Sequence, residues 1–407
     1  MTDQGAKSDY EYIVLGLGGI GSGAAYWLAR RAGTEVLGLE QFEFGHERGA
    51  SEDHSRIVRL AYDKPVYVEL AKHSYTAWRE VEADAGEQLL VITGGLDLFP
   101  PGASLSPAGH QASMSAMNVP FEALDAAEIM RRFPQFTVQD GTVGIYQAQS
   151  GFAPAGRCTR THLRLASRHG ATLRDNTPVT AMTPLADGGM QVTTPERTYR
   201  CRKLVVAADA WTNQVLKPLG VALPLTWTQE QVTYYATPHL RDFSPDRFPV
   251  WIWQDNPCFY GIPVHGEESG VKVAQDMGGR EVTPETRTFE ADPHTLARVA
   301  RFIRDVMPTA AGPALYTKTC MYTLPPDRDF VLDTLPGYPQ VSLALGAGHG
   351  FKFASIFGRI LSELAIDGAT NYNIGAFAVD RPLLTMDNPP RAFQPFLDYN
   401  RQVAVHS

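Results

Sequence analysis

The chain is 407 residues long, 44% apolar and 20% charged: enough for two or three units that each bury a core, with no stretch near the roughly 18 apolar residues of a membrane span. A formal charge of -8 without any Lys/Arg block excludes a nucleic-acid surface and points to a small substrate. Cys158, Cys201, Cys258 and Cys320 lie far apart with no CxxC pair, so neither a metal site nor a disulfide framework is expected, and the first ten residues lack the pattern of a secretory leader, which suggests a cytoplasmic protein.

In chain order, Tyr12-Ile13-Val14-Leu15 reads as a strand running into Gly16-x-Gly18-x-x-Gly21, followed by a helix over residues 22–31 and a second strand, Val36-Leu37-Gly38-Leu39-Glu40. This is the layout of a dinucleotide site. Gly16 allows the tight turn, Gly18 the close approach of a pyrophosphate, and Gly21 the packing of helix on strand. The helix N-terminus faces the phosphates, and Glu40 is placed to accept a hydrogen bond from a ribose hydroxyl.

From Leu89 the sequence turns strand-like, punctuated by Pro100, Pro101 and Pro107, and a second domain opens there. A helix is expected over 156–168, a short strand at 170–173 and a hairpin at 191–194 and 198–201. The apolar run Lys203-Leu204-Val205-Val206-Ala207-Ala208 suits a strand buried on both faces. Residues 232–318 again carry strands rich in Tyr, Trp and Val, with one amphipathic helix over 293–306 ended by Pro308. A second strand, glycine turn and helix follows, with Val341 to Leu345 leading through Gly346-Ala347-Gly348-His349-Gly350 into a helix over 353–367. The expected fold is α/β: a Rossmann-like nucleotide domain (1–88, 151–230 and 319–390) interleaved with a smaller α+β substrate domain (89–150 and 231–318) on a mixed, largely antiparallel sheet, and a tail at 391–407.

Five separated segments together resemble the monomeric sarcosine oxidase family of flavin amine oxidases, in the D-amino-acid-oxidase-like group. They are residues 13–21; Ser55-Arg56-Ile57-Val58-Arg59 with Ala61-Tyr62; Tyr260-Gly261-Ile262-Pro263 with Val271-Lys272-Val273; Lys318-Thr319-Cys320-Met321-Tyr322-Thr323; and Gly348-His349-Gly350-Phe351-Lys352. The resemblance implies a monomeric FAD enzyme that oxidises the C–N bond of secondary amines on amino acids, giving an imine and, from oxygen, hydrogen peroxide. Alternatives within the group are fructosyl amino acids, cyclic imino acids or a non-oxygen acceptor. By the same resemblance Cys320 bonds the flavin covalently, Arg59 and Lys352 clamp the substrate carboxylate, Lys272 serves oxygen, and Tyr260 and Tyr322 line the substrate cavity. Ser55, Arg56, Gly348, Gly350 and Lys352 join Gly16, Gly18, Gly21 and Glu40 around the cofactor, with Arg56 beside the ring.

One position departs from the family pattern. Asp276 stands four residues after Lys272, where sarcosine oxidases carry a histidine, and a carboxylate there can accept hydrogen bonds or pair with a cation. Asp53 and Asp97 are weaker candidates for the same pole of the cavity. Asp209, where related flavoproteins usually have glycine, is read as a left-handed turn residue without chemistry.

Overall fold

The computed structural model describes residues 7–51, 53–266 and 270–405. The first six residues, on which part of the leader reading rests, lie outside the described residues. No helix among the described residues is long and apolar enough to cross a membrane.

The described strands form three sheets. In the first, Thr198–Val206, Asp9–Leu15, Val36–Leu39 and Thr172–Arg174 run parallel in that order, with Val341–Leu345 parallel to the end of Thr198–Val206. Strand Thr198–Val206 shows why its sequence changes character midway. Its first five residues alternate exposed and buried where Met190–Thr193 pairs antiparallel with them, and its last three are all buried where it enters the parallel centre. A half-covered strand needs one apolar face and a doubly covered strand needs two. Helices Gly19–Ala32, Ala155–Arg168 and Ala354–Ile366 close one face over Val14, Val36, Val205 and Ala344; Ile13, Leu37, Leu204 and Val206 fill the other.

The second sheet has nine strands and carries the substrate side. Its central pairs are antiparallel, Thr226–Tyr235 with both Val271–Asp276 and Ala314–Leu324, and Val271–Asp276 with Cys258–Ile262; Val250–Trp253 and Gly95–Phe99 pair parallel, so the sheet is mixed. The domain limits expected at 230 and 318 fall inside strands Thr226–Tyr235 and Ala314–Leu324, both of which belong to this sheet along their whole length. The Tyr- and Thr-rich sequence of each strand is continuous across those points, so no linker exists there. Helix Pro293–Val306 covers the sheet, capped by the Asp292 carboxylate, which accepts from the backbone N–H groups of His294 and Thr295. A three-stranded sheet, Arg56–Val58 with Gly151–Ala153 and Val91–Ile92, joins the two halves.

Candidate active site

A single cavity of about 640 Å³ runs from the glycine turn to the nine-stranded sheet, within the size range of cofactor and ligand sites. At its first end Gly16 takes φ +84°, open to glycine, and a Cβ there would stand 2.5 Å from the Ala207 carbonyl oxygen. A Cβ on Gly21 would stand 1.8 Å from the Gly16 carbonyl oxygen, so helix and strand meet only because both side chains are absent. Glu40 follows strand Val36–Leu39 into the cavity and accepts from the backbone N–H groups of Leu17 (2.8 Å) and Phe42 (3.1 Å). Burial alone would raise its pKa, but His46 and these N–H groups outweigh it and hold the carboxyl ionised. Glu40 therefore pins the turn from inside the cavity.

The other end is lined by Arg59, Lys352, Arg328 and Asp276. Arg59 donates to the buried Asp97 at 2.6 Å, and Gln254 donates to the same oxygen. Lys352 is held from behind: its carbonyl accepts from Ser74 Oγ (2.6 Å) and Trp78 Nε1 (2.9 Å), both on helix Pro65–Ala85, while its Nζ donates to the His349 carbonyl at 2.9 Å. Burial, then the Arg59 cation, pushes the Lys352 amine down to about 7. His349 stays neutral through burial beside Lys352 and Arg328, and its Nε2 donates to the Arg328 carbonyl at 3.1 Å. Asp276 pairs with Arg328, whose Nη2 reaches both carboxylate oxygens at 2.8 and 2.7 Å. Arg328, unremarkable in sequence, sits at φ +59° in the loop after Leu324; only its spatial neighbour reveals it.

Between the two ends Cys320 projects from strand Ala314–Leu324 opposite Glu230, in a wall shared with Tyr260, Tyr322, Ser55, Gly348 and Gly350. Burial raises the Cys320 thiol to about 11, with Arg56 opposing. Burial also lifts both tyrosines far above neutrality, so neither is an acid–base group at physiological pH. Glu230, fully behind this wall, accepts from Thr228 Oγ1 (2.6 Å) and the Gly279 N–H (3.0 Å); burial raises its carboxyl to about 7. Asp53, expected at the same pole as Asp276, stands instead beside Arg56 and Lys272. It lines the cavity at φ +111° and accepts from Tyr234 (2.8 Å), Arg56 (3.1 Å) and Lys272.

The cavity thus gathers Gly16, Gly18, Glu40, Ser55, Arg56, Arg59, Tyr260, Asp276, Cys320, Tyr322, Gly348, Gly350 and Lys352. Gly21 acts one layer back, in the turn. Lys272 stands apart: it is 1% exposed, ion-paired to Asp53 and donating to the Ser55 carbonyl at 2.8 Å, so Asp53, not Lys272, forms the wall there. Asp97 also lies behind the wall, as the partner of Arg59. Asp209 adopts φ +42°, the left-handed turn its position suggested. Arg56 opens the short strand Arg56–Val58 and Arg59 follows it, and both line the cavity.

Residues 11–364 match the family described as FAD dependent oxidoreductase. The chain is 38% identical over 376 residues to a monomeric sarcosine oxidase from Streptomyces avermitilis, covering 90% of this chain and 96% of that protein. It is 30% identical over 379 residues to an N-methyl-L-tryptophan oxidase from Salmonella heidelberg, covering 91% and 99%. Among solved structures, NikD, an unusual amino acid oxidase essential for nikkomycin biosynthesis, superimposes with a TM-score of 0.81 at 29% identity, covering 91% of this chain and 98% of NikD.

Proposed function

From a chain that belongs to the FAD-dependent oxidoreductases, in the monomeric sarcosine oxidase family, we propose an oxidase that acts on the C–N bond of N-methyl amino acids. The observation that carries the reading is one continuous cavity with a dinucleotide turn at one end, Arg59 and Lys352 at the other, and Cys320 between them. The residues fit FAD. The bare Gly16–Gly21 turn and Glu40 would hold its ADP half, and Cys320 would tether the ring. When bound, FAD supplies two-electron oxidation of the amine and delivers the electrons to oxygen, giving hydrogen peroxide and an imine that water hydrolyses.

The chain's own residues bind and orient. Arg59 stays charged against Asp97 and offers its remaining N–H groups to a carboxylate, and Lys352 adds a second cation on the same wall. Together they fix the acid end of the substrate, which converts an encounter into an aligned complex. Neither Asp276 nor Asp53 stands ready as a strong base: Asp276 is paired with Arg328, and Asp53 with Lys272 and Arg56. The amine is therefore expected to bind unprotonated, so the rate of flavin reduction should follow the substrate amine's pKa rather than a protein group. Pairing with Arg328 also leaves Asp276 poorly suited to hold a second cationic amine, which favours an N-methyl over a bulkier charged substituent.

The reading includes a cytoplasmic monomer, which fits the small substrate and the lack, among the described residues, of a helix long and apolar enough to cross a membrane. The deciding experiment is a substrate screen under nitrogen, following bleaching of the flavin with sarcosine, N-methyl aromatic amino acids, pipecolate and fructosyl-valine. Acid precipitation then tests the tether: pigment should stay with the polypeptide and leave with the supernatant in Cys320→Ser. Bleaching by none of the N-methyl amino acids would sink the proposal.

A further inference from the structure

We propose that Asp53 is a positioning residue that restrains the reaction with oxygen by neutralising Lys272; this rests on the reading above that Lys272 serves oxygen. Four observations converge on it. Asp53 lines the cavity whereas Lys272 lies behind it, so any molecule at this wall meets the carboxylate before the ammonium. The carboxylate is ion-paired to Lys272 and to Arg56 at 3.1 Å, and Tyr234 donates to its other oxygen at 2.8 Å. Burial alone would favour its protonated form, but Lys272 and Arg56 hold it well below the usual carboxylate range, so it is ionised whenever the enzyme works. Finally, its backbone sits at φ +111°, a conformation that costs a side-chain-bearing residue energy and persists only where surrounding contacts enforce it.

The electrostatic consequence is direct. Oxidation of reduced flavin by oxygen moves two electrons to O2, which with two protons leaves as hydrogen peroxide while the flavin returns to its oxidised form. Negative charge grows on oxygen as the first electron arrives, and a fixed cation nearby favours it. Asp53, bonded to that cation and closer to the cavity, cancels part of its field. Lys272 also donates to the Ser55 carbonyl at 2.8 Å, so removing the carboxylate takes away one counter-charge and leaves the ammonium anchored.

Two variants separate charge from structure. Asp53→Asn keeps the shape and an acceptor for Tyr234 without the charge; Asp53→Gly suits the positive φ and removes the group altogether. In stopped-flow mixing of reduced holoenzyme with oxygen, both are expected to reoxidise faster than the unmodified protein, by about tenfold or more, the scale of one added charge near the reacting centre. Lys272→Met should be slow, and Asp53→Asn combined with Lys272→Met should be equally slow. An independent readout is sulfite, an anion that bleaches oxidised flavin: its dissociation constant should fall about tenfold in both Asp53 variants, tracking the added positive charge. Asp53→Glu should restore the unmodified rate. If Lys272→Met reoxidises normally, the oxygen role of Lys272 fails and the proposal with it. If Lys272→Met is slow while Asp53→Asn and Asp53→Gly match the unmodified protein in both assays, the role of Lys272 stands and that of Asp53 is refuted. Slower reoxidation in Asp53→Asn would also refute it, by showing that the carboxylate assists.

Discussion

Lys352 gives the sharpest test of how this cavity holds a carboxylate. Burial and Arg59 bring its amine from 10.5 to about 7, a displacement of about 3.5 units, or roughly 5 kcal/mol against the charged form. A carboxylate at about 4 Å from the ammonium returns about 4 kcal/mol at an effective dielectric of 20, which lifts the amine's pKa in the complex by about three units. Between pH 7 and 9 the free enzyme must then take up a proton to bind the ligand, and the dissociation constant should rise about fivefold over the first pH unit and tenfold over the second, roughly 50-fold in all. The assay is a spectral titration of the bound flavin with propionate, which has no group titrating in this range. His349 is already neutral there and Tyr260 and Tyr322 ionise far above it, so they add no slope; Glu230, raised to about 7, is removed from the comparison by measuring the Lys352 and Lys352→Met proteins in the Glu230→Gln background. Lys352→Met should bind about 1000-fold more weakly at pH 6 and show a flat profile, because the remaining guanidinium groups do not titrate. A dissociation constant independent of pH from 6 to 9 with Lys352 in place, or the same slope in Lys352→Met, would refute this account.

Other expectations test the surrounding shell. Glu230 keeps its proton in the fold up to about pH 7 but releases it near 4.5 when exposed, so the folded state binds more protons between those values. Its contribution is full below pH 4.5 and is lost as pH rises through 7, by up to about 3 kcal/mol; urea unfolding should show Glu230→Gln gaining on the unmodified protein by that amount from pH 5 to 8, and parallel curves would contradict it. Gly21→Ala puts a methyl 1.8 Å from the Gly16 carbonyl oxygen, so the turn must open: a lower melting temperature and weakened flavin retention are expected, and an unchanged flavin content would argue against the close packing. Arg328→Met exposes an uncompensated Asp276 to the substrate's acid end. KM for N-methyl amino acids should rise roughly tenfold and recover when Asp276→Leu is added, whereas no recovery would show that Arg328 acts on its own.

Much of the architecture was legible in the linear chain because it follows from local rules. Predominantly apolar runs such as Val36–Leu39 and Val341–Leu345 became strands with every residue buried, helix Pro293–Val306 began and ended where the proline and the periodicity placed it, and the spacing of Gly16, Gly18 and Gly21 made the turn. Periodicity and backbone freedom act over a few residues, so a short window contains them. The domain limits at 230 and 318 were not legible, since a long strand carries no mark at the point where it passes from one neighbourhood to another. The same limit governed the site.

By itself the sequence determined the nucleotide turn, the two-part α/β plan and the residue types required for a flavin amine oxidase. Only the tertiary structure decided which charges meet: Lys272 with Asp53 across 219 positions, Asp276 with Arg328 across 52, and Arg59 with Asp97 across 38. Those pairings turn Lys272 from a cation on the wall into one held behind a carboxylate, and Asp276 from a bare acid into half of an ion pair. The reason is that Coulomb interaction and burial depend on separation in space, which folding sets and chain spacing does not.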